Sequence, residues 1–300
     1  MANTFETAEA GKIAAVAAAL VGSDLNVANT FYKNVANDFF PGVGSTVSIR
    51  VPGAPAVGTK DAGDVTTTLT IGTLQENLIP VTLSTNAYSD IALSVADLSL
   101  NIENFASQVL VPQAEAVAKY VERTAVAALQ AADADTTITY AEATPQAAFS
   151  AARTKLRANG VPAGATMYAA VAPDVYGALL DNNTTTQPLF DAQGRVRGFN
   201  VIESNRLAAG ELAFYVPEAF ALVVRAPAIP DGAPFGASIV EPQTGFALSY
   251  IRAFNPSIGA DISLVQALVG ASALPLAHDD ENGTVTLNPG AGVVHVVSGS

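Results

Sequence analysis

The chain contains no cysteine, which excludes disulfide bonds and metal sites built on thiolates. Its two histidines, His278 and His295, both lie near the C-terminus. Without a third imidazole, a zinc site would need carboxylates, and the acidic residues show no ligand spacing. Glu203 and Glu211 lie near predicted strand ends, but nothing marks them as an acid–base pair. We therefore predict no catalytic residues, no cofactor, no metal site and no enzymatic activity.

Long hydrophobic runs are also lacking. The apolar run at residues 13–21 is far shorter than the roughly 20 residues that cross a bilayer. Glu6 and Glu9 precede it, where a signal peptide would carry basic residues. The sequence therefore predicts neither a membrane span nor export.

Positive charge is scarce. The chain has 14 basic and 27 acidic residues, which gives a net charge of −13 at pH 7. The basic residues are scattered, and the densest groups are Arg153/Lys155/Arg157 and Arg195/Arg197. Nucleic-acid readers usually carry a basic patch or stripe. We therefore expect no sequence-specific nucleic-acid binding, although an acidic wall is able to enclose DNA without gripping it.

The composition suits a folded protein, because half of the 300 residues are hydrophobic and many of these are alanine. The patterns predict helices at residues 4–20, 27–37, 101–131, 145–158 and 174–180. They predict strands at residues 46–51, 65–71, 79–83, 167–172, 199–203, 212–216, 221–225, 246–254, 284–287 and 293–297. Helices and strands neither alternate regularly nor repeat, so the predicted class is α+β.

Residues 101–131 form the longest predicted helix, about 45 Å at roughly 1.5 Å per residue. Its apolar stripe is predicted at Phe105, Val109, Ala116, Tyr120 and Ala127. Pro112 is expected to kink or split this helix near Gln108, because proline cannot donate a backbone hydrogen bond.

Residues 42–84 read as an extended segment with little of its own to pack against. Strands with period-two alternation flank the breaker-rich residues 52–58. A ribbon of two or three strands is marginal alone in water, so it must lie on its own domain or on another copy. Lys60, in this segment, is predicted to be solvated and not to form a covalent cross-link. The residues predicted to contact a partner are Val47, Ile49, Val51, Val65, Leu69, Ile71, Phe31 and Phe39.

The order of these segments resembles the major capsid proteins of tailed bacteriophages, which share the Hong Kong 97-type (Johnson) fold. The likeness is greatest to podovirus-like and actinobacterial phage coat proteins. It covers most of residues 27–270. The matching stretches are residues 27–34, 42–53, 156–162, 171–180, 198–204 and 215–227.

The resemblance implies an extended β E-loop that lies over a neighbouring subunit and a spine helix in a peripheral domain. An axial domain would surround the fivefold and sixfold axes. The implied segments are an N-terminal arm (1–41), the E-loop (42–90), a peripheral domain (91–160) with its spine helix (about 101–131), a mainly axial domain (161–260), a return to the peripheral domain (261–278) and a C-terminal tail (279–300).

The implied function is a coat protein that self-assembles, as hexamers and pentamers, into an icosahedral shell around phage double-stranded DNA. Assembly would take place in the host cytoplasm, and the protein would end in the virion. Because the chain begins with the arm, we expect a separate scaffolding protein, together with a portal and an optional decoration protein. The tail matches no part of the family pattern and is expected to add a strand on a neighbour or on the outer surface.

Two alternatives remain open. An encapsulin-type nanocompartment shell protein would share the fold and would carry a pocket for a cargo peptide. A secreted surface-layer protein or adhesin would suit the threonine-rich strands, but it would need an export signal.

Overall fold

The elements of the chain are taken from a computed structural model. It describes residues 15–18, 25–33, 45–51, 58–69, 71, 77–94, 96–97, 105–132, 138–142, 144–183, 188–233, 235–240, 245–279 and 285–298. Some side chains within strands and helical turns of these ranges lie outside the description, among them those of Val47, Ile49 and Val51.

The secondary structure mixes helices with strands that pair mostly in the antiparallel sense. The α-helices are α1 (Val111–Ala131), α2 (Gln146–Ala158) and α3 (Pro173–Asp181). The strands are β1 (Thr46–Val51), β2 (Asn77–Thr82), β3 (Thr85–Leu93), β4 (Met167–Val171), β5 (Arg195–Val196), β6 (Phe199–Glu203), β7 (Glu211–Tyr215), β8 (Phe220–Arg225), β9 (Phe235–Val240), β10 (Ala247–Asn255), β11 (Ala260–Ala273), β12 (Leu276–Asp279), β13 (Val285–Asn288) and β14 (Val293–Val297). The α+β class is confirmed.

The chain divides into two compact units, each built from separate stretches of sequence. The first unit comprises residues 1–45, 82–128 and 222–272. The second unit comprises residues 46–81, 129–221 and 273–300.

The long helix of the first unit is interrupted where the sequence predicts. A π-helical turn at Ala106–Leu110 precedes α1 and contains Gln108. Pro112 has no N–H to donate to the carbonyl of Gln108, so the regular α pattern is difficult to maintain at this point. The proline therefore separates a π turn from a regular helix.

Helix α1 is joined to the long antiparallel sheet of the first unit, whose strand order is β3-β11-β10-β9. The Gln113 side-chain amide donates to the carbonyls of Ser89 in β3 (3.0 Å) and Ser263 in β11 (2.7 Å). The Ser263 hydroxyl donates back to Gln113 Oε1 at 2.7 Å. All of these groups are satisfied in an apolar setting, so the contact specifies how the helix sits on the sheet.

The second unit is built on a mixed sheet in the order β14-β7-β4-β6-β5, in which β4 and β6 are parallel. Three buried phenylalanines join helix α2 to this sheet: Phe149 lies 4.8 Å from Phe214 and 5.9 Å from Phe199, measured between ring centroids. The rings meet edge to face, the arrangement that aromatic quadrupoles favour. This cluster holds α2 against β6 and β7.

One predicted strand is wrong. Residues 65–69 and 71 form bends and irregular structure instead of the strand predicted at 65–71. The Asp64 carboxylate accepts hydrogen bonds from the backbone amides of Thr66 (2.7 Å) and Thr67 (3.2 Å). A side chain that binds nearby amides competes with a strand ladder, so the chain turns here.

The C-terminal tail supplies a strand to its own chain. Strand β14 pairs antiparallel with β7, which places Val294 opposite Phe214. Val294 and Val296 are fully buried. The expectation that residues 279–300 add a strand to a neighbour or to the outer surface is therefore wrong for residues 293–297, because their apolar alternation completes the sheet of the second unit.

We expect Val294→Ala to lower the free energy of unfolding by about 2 kcal/mol, because it removes two buried methyl groups and leaves a cavity. Val297→Ala is the matched control, since Val297 lies in the same strand but is 49% exposed. Its effect should stay below about 0.5 kcal/mol. Urea unfolding of the full chain measures both variants, and equal losses would contradict the assignment of β14 to the core.

Candidate assembly surface

The segment between β1 and β2 exposes large apolar side chains. Val65 is 93%, Leu69 is 74% and Ile71 is 92% exposed, and Leu78 at the start of β2 is 63% exposed. Single exposed apolar residues are common on protein surfaces, whereas several on one segment make that segment a candidate site of association.

Asp64 shapes this segment. Besides the two amides, its carboxylate accepts hydrogen bonds from the hydroxyls of Thr67 and Thr66. These hydrogen bonds hold the pKa of Asp64 well below its ordinary value, and those from the two hydroxyls contribute most. The turn directs the chain with polar contacts alone and leaves the neighbouring apolar side chains free of intrachain burial.

Backbone pairing closes the base of the segment. Strands β1 and β2 form a two-stranded sheet, and the Leu83 amide donates to the Ser45 carbonyl at 2.8 Å. In β2, Ile79 and Val81 are buried whereas Leu78 is exposed. One face of β2 is therefore buried, and the opposite face, which carries Leu78, is exposed.

The other residues predicted to contact a partner differ in their position and burial. Val47, Ile49 and Val51 lie in β1 as predicted, and their side chains are outside the described set. Phe39 lies outside the described residues. Phe31 is only 4% exposed in the single chain, so most of its side chain packs within its own subunit and little surface remains for a partner.

A buried carboxylate on α1 holds the N-terminal segment. Glu122, which is 4% exposed, accepts hydrogen bonds from the backbone amides of Asn26 (3.2 Å), Val27 (2.8 Å) and Ala28 (3.0 Å). These amides begin a 3-10 turn at Ala28–Thr30. Free amides at the start of a helical turn attract negative charge, so Glu122 acts as a cap supplied from elsewhere in the chain.

The turn is shorter than predicted. Of the helix expected at residues 27–37, the described part has only the 3-10 turn that ends at Thr30, and Phe31 is already extended; residues 34–37 lie outside the described residues. The Tyr32 carbonyl accepts a hydrogen bond from the Leu222 amide at 3.0 Å, which draws the segment alongside β8. Burial lowers the pKa of Lys33 to about 8, against the attraction of Glu122, which raises it. The segment is therefore held by tertiary contacts in addition to the local hydrogen bonds from Thr30 to the Val27 carbonyl.

Glu122→Gln should release this anchor, because an amide offers a donor where a second acceptor is needed. A hydrogen bond to a charged group contributes about 1.5–3 kcal/mol, so exchange of the amides at residues 26–28 should quicken roughly tenfold or more. Glu115→Gln is the control, since Glu115 lies on the same helix and its exposed carboxylate pairs with the Lys119 ammonium at 3.3 Å. Hydrogen–deuterium exchange that is unchanged in Glu122→Gln would contradict this role.

A second buried carboxylate lies in the mixed sheet. Glu211 in β7 accepts hydrogen bonds from the Gln130 side chain (3.0 Å) and the Ala208 amide (2.6 Å), and it lies 2.5 Å from His295 Nε2 in β14. Burial raises the pKa of Glu211, but the hydrogen bonds from Gln130, Ala208 and His295 outweigh burial and lower it overall. The group thus joins the C-terminal strand to the sheet.

The lowered pKa gives a pH dependence. The folded chain favours the charged carboxylate, so its stabilisation is present above the ordinary pKa of 4.5 and is lost as pH falls through the lower folded value. Glu211→Gln should destabilise the protein by roughly 1–3 kcal/mol at pH 7. This difference from wild type should shrink below about pH 4.5.

Glu218→Gln, at an exposed position of the same unit, controls for the loss of charge. Thermal unfolding at pH 7 and pH 3.5 checks the prediction. A Glu211→Gln penalty that grows toward acid would overturn it.

Among the described residues, no group of three or more His, Asp or Glu side chains is placed to hold a metal ion. Within the same part of the chain, no helix is long and apolar enough to cross a membrane.

Solved structures share this arrangement of helices and sheets. The capsid of cyanophage P-SCSP1u is 14% identical and has a TM-score of 0.58, over 90% of this chain and 87% of that chain. A structure from Mycobacterium phage Che8 is 13% identical with a TM-score of 0.57, over 90% of both chains. A virus-like particle from Pyrococcus furiosus is 11% identical with a TM-score of 0.54, over 95% of this chain and 97% of that chain. At these identities the likeness shows the fold, which is of the Hong Kong 97 type.

The family is shown by sequence. A family model described as phage capsid protein matches residues 87–255, more than half of the chain, and the chain belongs to that family. The comparison with curated proteins finds no match. The archaeal particle matches no better than the phage structures, so the nanocompartment alternative gains no advantage. The protein is a capsid shell protein.

Proposed function

We propose that the chain is the major capsid protein of a tailed phage and builds an icosahedral shell of hexamers and pentamers around double-stranded DNA. The observation that carries this proposal is the row of exposed apolar side chains at Val65, Leu69 and Ile71. These residues form the E-loop contact: they dock on a sister copy. Val47, Ile49 and Val51 complete the same contact from β1.

The energetics suit a shell. Burying one valine, leucine or isoleucine side chain contributes about 1.5–3 kcal/mol, so three contribute about 4.5–9 kcal/mol per copy before the entropic cost of association. One such contact is weak between two isolated subunits. Repeated around a closed shell, it produces a stable particle, because each subunit is held by several neighbours at once.

The two compact units support an assignment of the remaining domains. The unit with α1 and the long antiparallel sheet is the peripheral domain, with α1 as its spine helix. The unit with the mixed sheet contains the axial domain, and residues 1–41 are assigned to the N-terminal arm. Within residues 42–90 the E-loop is the part up to residue 81, because β3 pairs with β11 in the peripheral sheet. The axial domain then ends at residue 221 instead of near 260, because β9 and β10 pair with strands of the peripheral sheet.

The remaining partners follow from this role. A separate scaffolding protein guides assembly in the host cytoplasm, a portal occupies one vertex and a decoration protein is optional. The protein has no catalytic role. Its net charge of −13 repels packaged DNA on average, so the DNA moves during packaging without sticking to the wall.

The variant Val65→Asp/Ile71→Asp should abolish shell assembly and leave the melting temperature of the unassembled subunit unchanged. Both positions are more than nine-tenths exposed, so the charges meet water in the free subunit but would be buried in the contact. Thr68→Asp, an exposed polar position of the same segment, should assemble like wild type.

Sedimentation and negative-stain microscopy of the protein, expressed with and without a candidate scaffold, distinguish the variants. Normal shells from the Val65→Asp/Ile71→Asp variant would refute the docking role of the segment. A failure of Thr68→Asp equal to that of the double variant would point to a general effect of charge.

A further inference from the structure

Members of both groups of basic residues that stand out in the sequence line one cavity of the second unit. Its volume is about 330 Å³. Arg153 and Arg157 reach it from α2, and Arg195 reaches it from β5. Asp191 is the acidic residue in its lining. Three guanidinium groups against one carboxylate make this a positive cavity in a chain with a net charge of −13.

The two helix arginines are held in place by neutral backbone carbonyls. Arg157 donates to the carbonyls of residues 161 (3.0 Å) and 163 (2.9 Å) and also to that of Pro162. Arg153 Nη1 donates to the carbonyl of Arg197 at 2.6 Å. These contacts orient the two guanidinium groups without cancelling their positive charge, and the lining carboxylate Asp191 pairs with Arg195 instead. Such preorganised charge is suited to binding an anion.

Arg195 is partly neutralised. Its Nε donates to Asp191 Oδ2 at 3.1 Å, and its backbone amide donates to Asp191 Oδ1 at 2.8 Å. The backbone amide, together with that of Gln193 and the Arg195 charge, lowers the pKa of Asp191, which therefore stays ionised. Because Asp191 offsets the charge of Arg195, the net positive charge of the cavity comes from Arg153 and Arg157.

The hairpin between β5 and β6 is built around Arg153. Arg197 has a φ of 52°, a conformation that is unfavourable for a residue with a side chain, and Gly198 has a φ of 88°. A Cβ at Gly198 would overlap Arg153 Nη1. The turn thus presents the Arg197 carbonyl to Arg153 and leaves the space that the guanidinium occupies. Backbone strain of this kind is often found where a structure holds a functional group.

We propose that this cavity binds a phosphate group. Guanidinium groups that approach from a helix and from a hairpin offer donors in several directions, which suits a tetrahedral oxyanion with several acceptor oxygens. A single carboxylate pairs with only one guanidinium, through two parallel hydrogen bonds, so it would leave most of the arginine donors unused. Asn200, also in the lining, adds a neutral amide group. The phosphate is either free, as inorganic phosphate or a nucleotide, or part of a nucleic-acid backbone.

Isothermal titration of the full-length protein with inorganic phosphate at low ionic strength tests the site. Saturable binding is expected, and Arg153→Gln and Arg195→Gln should each weaken it about tenfold, as the loss of a charged hydrogen bond implies. Arg153→Lys should restore binding only in part, because it keeps the charge and loses the fork. Lys155→Gln is the matched control: it removes a charge from the same helix outside the cavity lining and should change binding less than twofold.

Two glycine variants distinguish a specific effect on the cavity from a general effect of backbone strain. Gly198→Ala should weaken phosphate binding by displacing the Arg153 guanidinium without removing any charge. Gly194→Ala carries the same backbone strain, with a φ of 74°, but its Cβ would meet nothing within 4 Å. It should bind phosphate like wild type, and equal effects of the two variants would count against the proposal.

Fluorescence anisotropy with labelled single-stranded and duplex oligonucleotides identifies the source of the phosphate. Parallel losses of oligonucleotide and phosphate binding in Arg153→Gln indicate a nucleic-acid backbone. Loss of phosphate binding alone indicates free phosphate or a nucleotide. Absence of saturable binding up to about 10 mM phosphate, or tighter capture of an acidic peptide than of phosphate, would overturn the proposal. Shell assembly is measured separately, so it remains informative whatever the cavity binds.

Discussion

The structure depends on apolar side chains that a single copy of the chain leaves in water. Val65 and Ile71 are more than nine-tenths exposed on a segment whose local order comes from the Asp64 carboxylate and two threonines. Such a surface gains free energy only when another molecule covers it. In the contact proposed above, that molecule is a sister copy, which would cover Val65 and Ile71 in the assembled particle.

Helix α1 is fixed within the first unit by buried polar contacts on two of its sides. Gln113 and Glu122 are nine residues apart, which places them about 180° apart around a helix of 3.6 residues per turn. Gln113 binds the long sheet and Glu122 binds the N-terminal segment. Each is a buried polar group with satisfied partners, so each penalises any other placement of its neighbour. The helix is therefore tied on two opposite faces within the first unit.

The sequence predicts strands that contain a short, nearly continuous buried run, such as β4 and β10, and it predicts the interruption at Pro112 before α1. It misjudges the buried face of α1: Ala116 and Ala127 are exposed, whereas Ala114, Ala118, Val121 and Ala125 are buried. An alanine-rich helix is apolar on several sides, so periodicity alone does not choose between them. Strand β11 is missed, and residues 65–71 alternate like a strand but have no ladder. The sequence does not reveal the contacts of Glu122 and Glu211 or the meeting of the cavity arginines, because these bring together residues that are distant in the chain. Glu211 does carry a signal, since an ionisable residue beside the buried run of β7 needs a partner.

The distribution of charge completes the account of assembly. Each copy carries a net charge of −13, so copies repel one another over a Debye length of about 8–10 Å at physiological salt. The proposed apolar contact would act only at direct approach, where it must exceed this repulsion. Each pairwise contact of this kind would be weak and reversible until neighbours on several sides add their contributions. A misplaced copy satisfies fewer of these contacts and leaves first, so a short-range attraction opposed by a longer-range repulsion favours a regular closed shell over irregular aggregates.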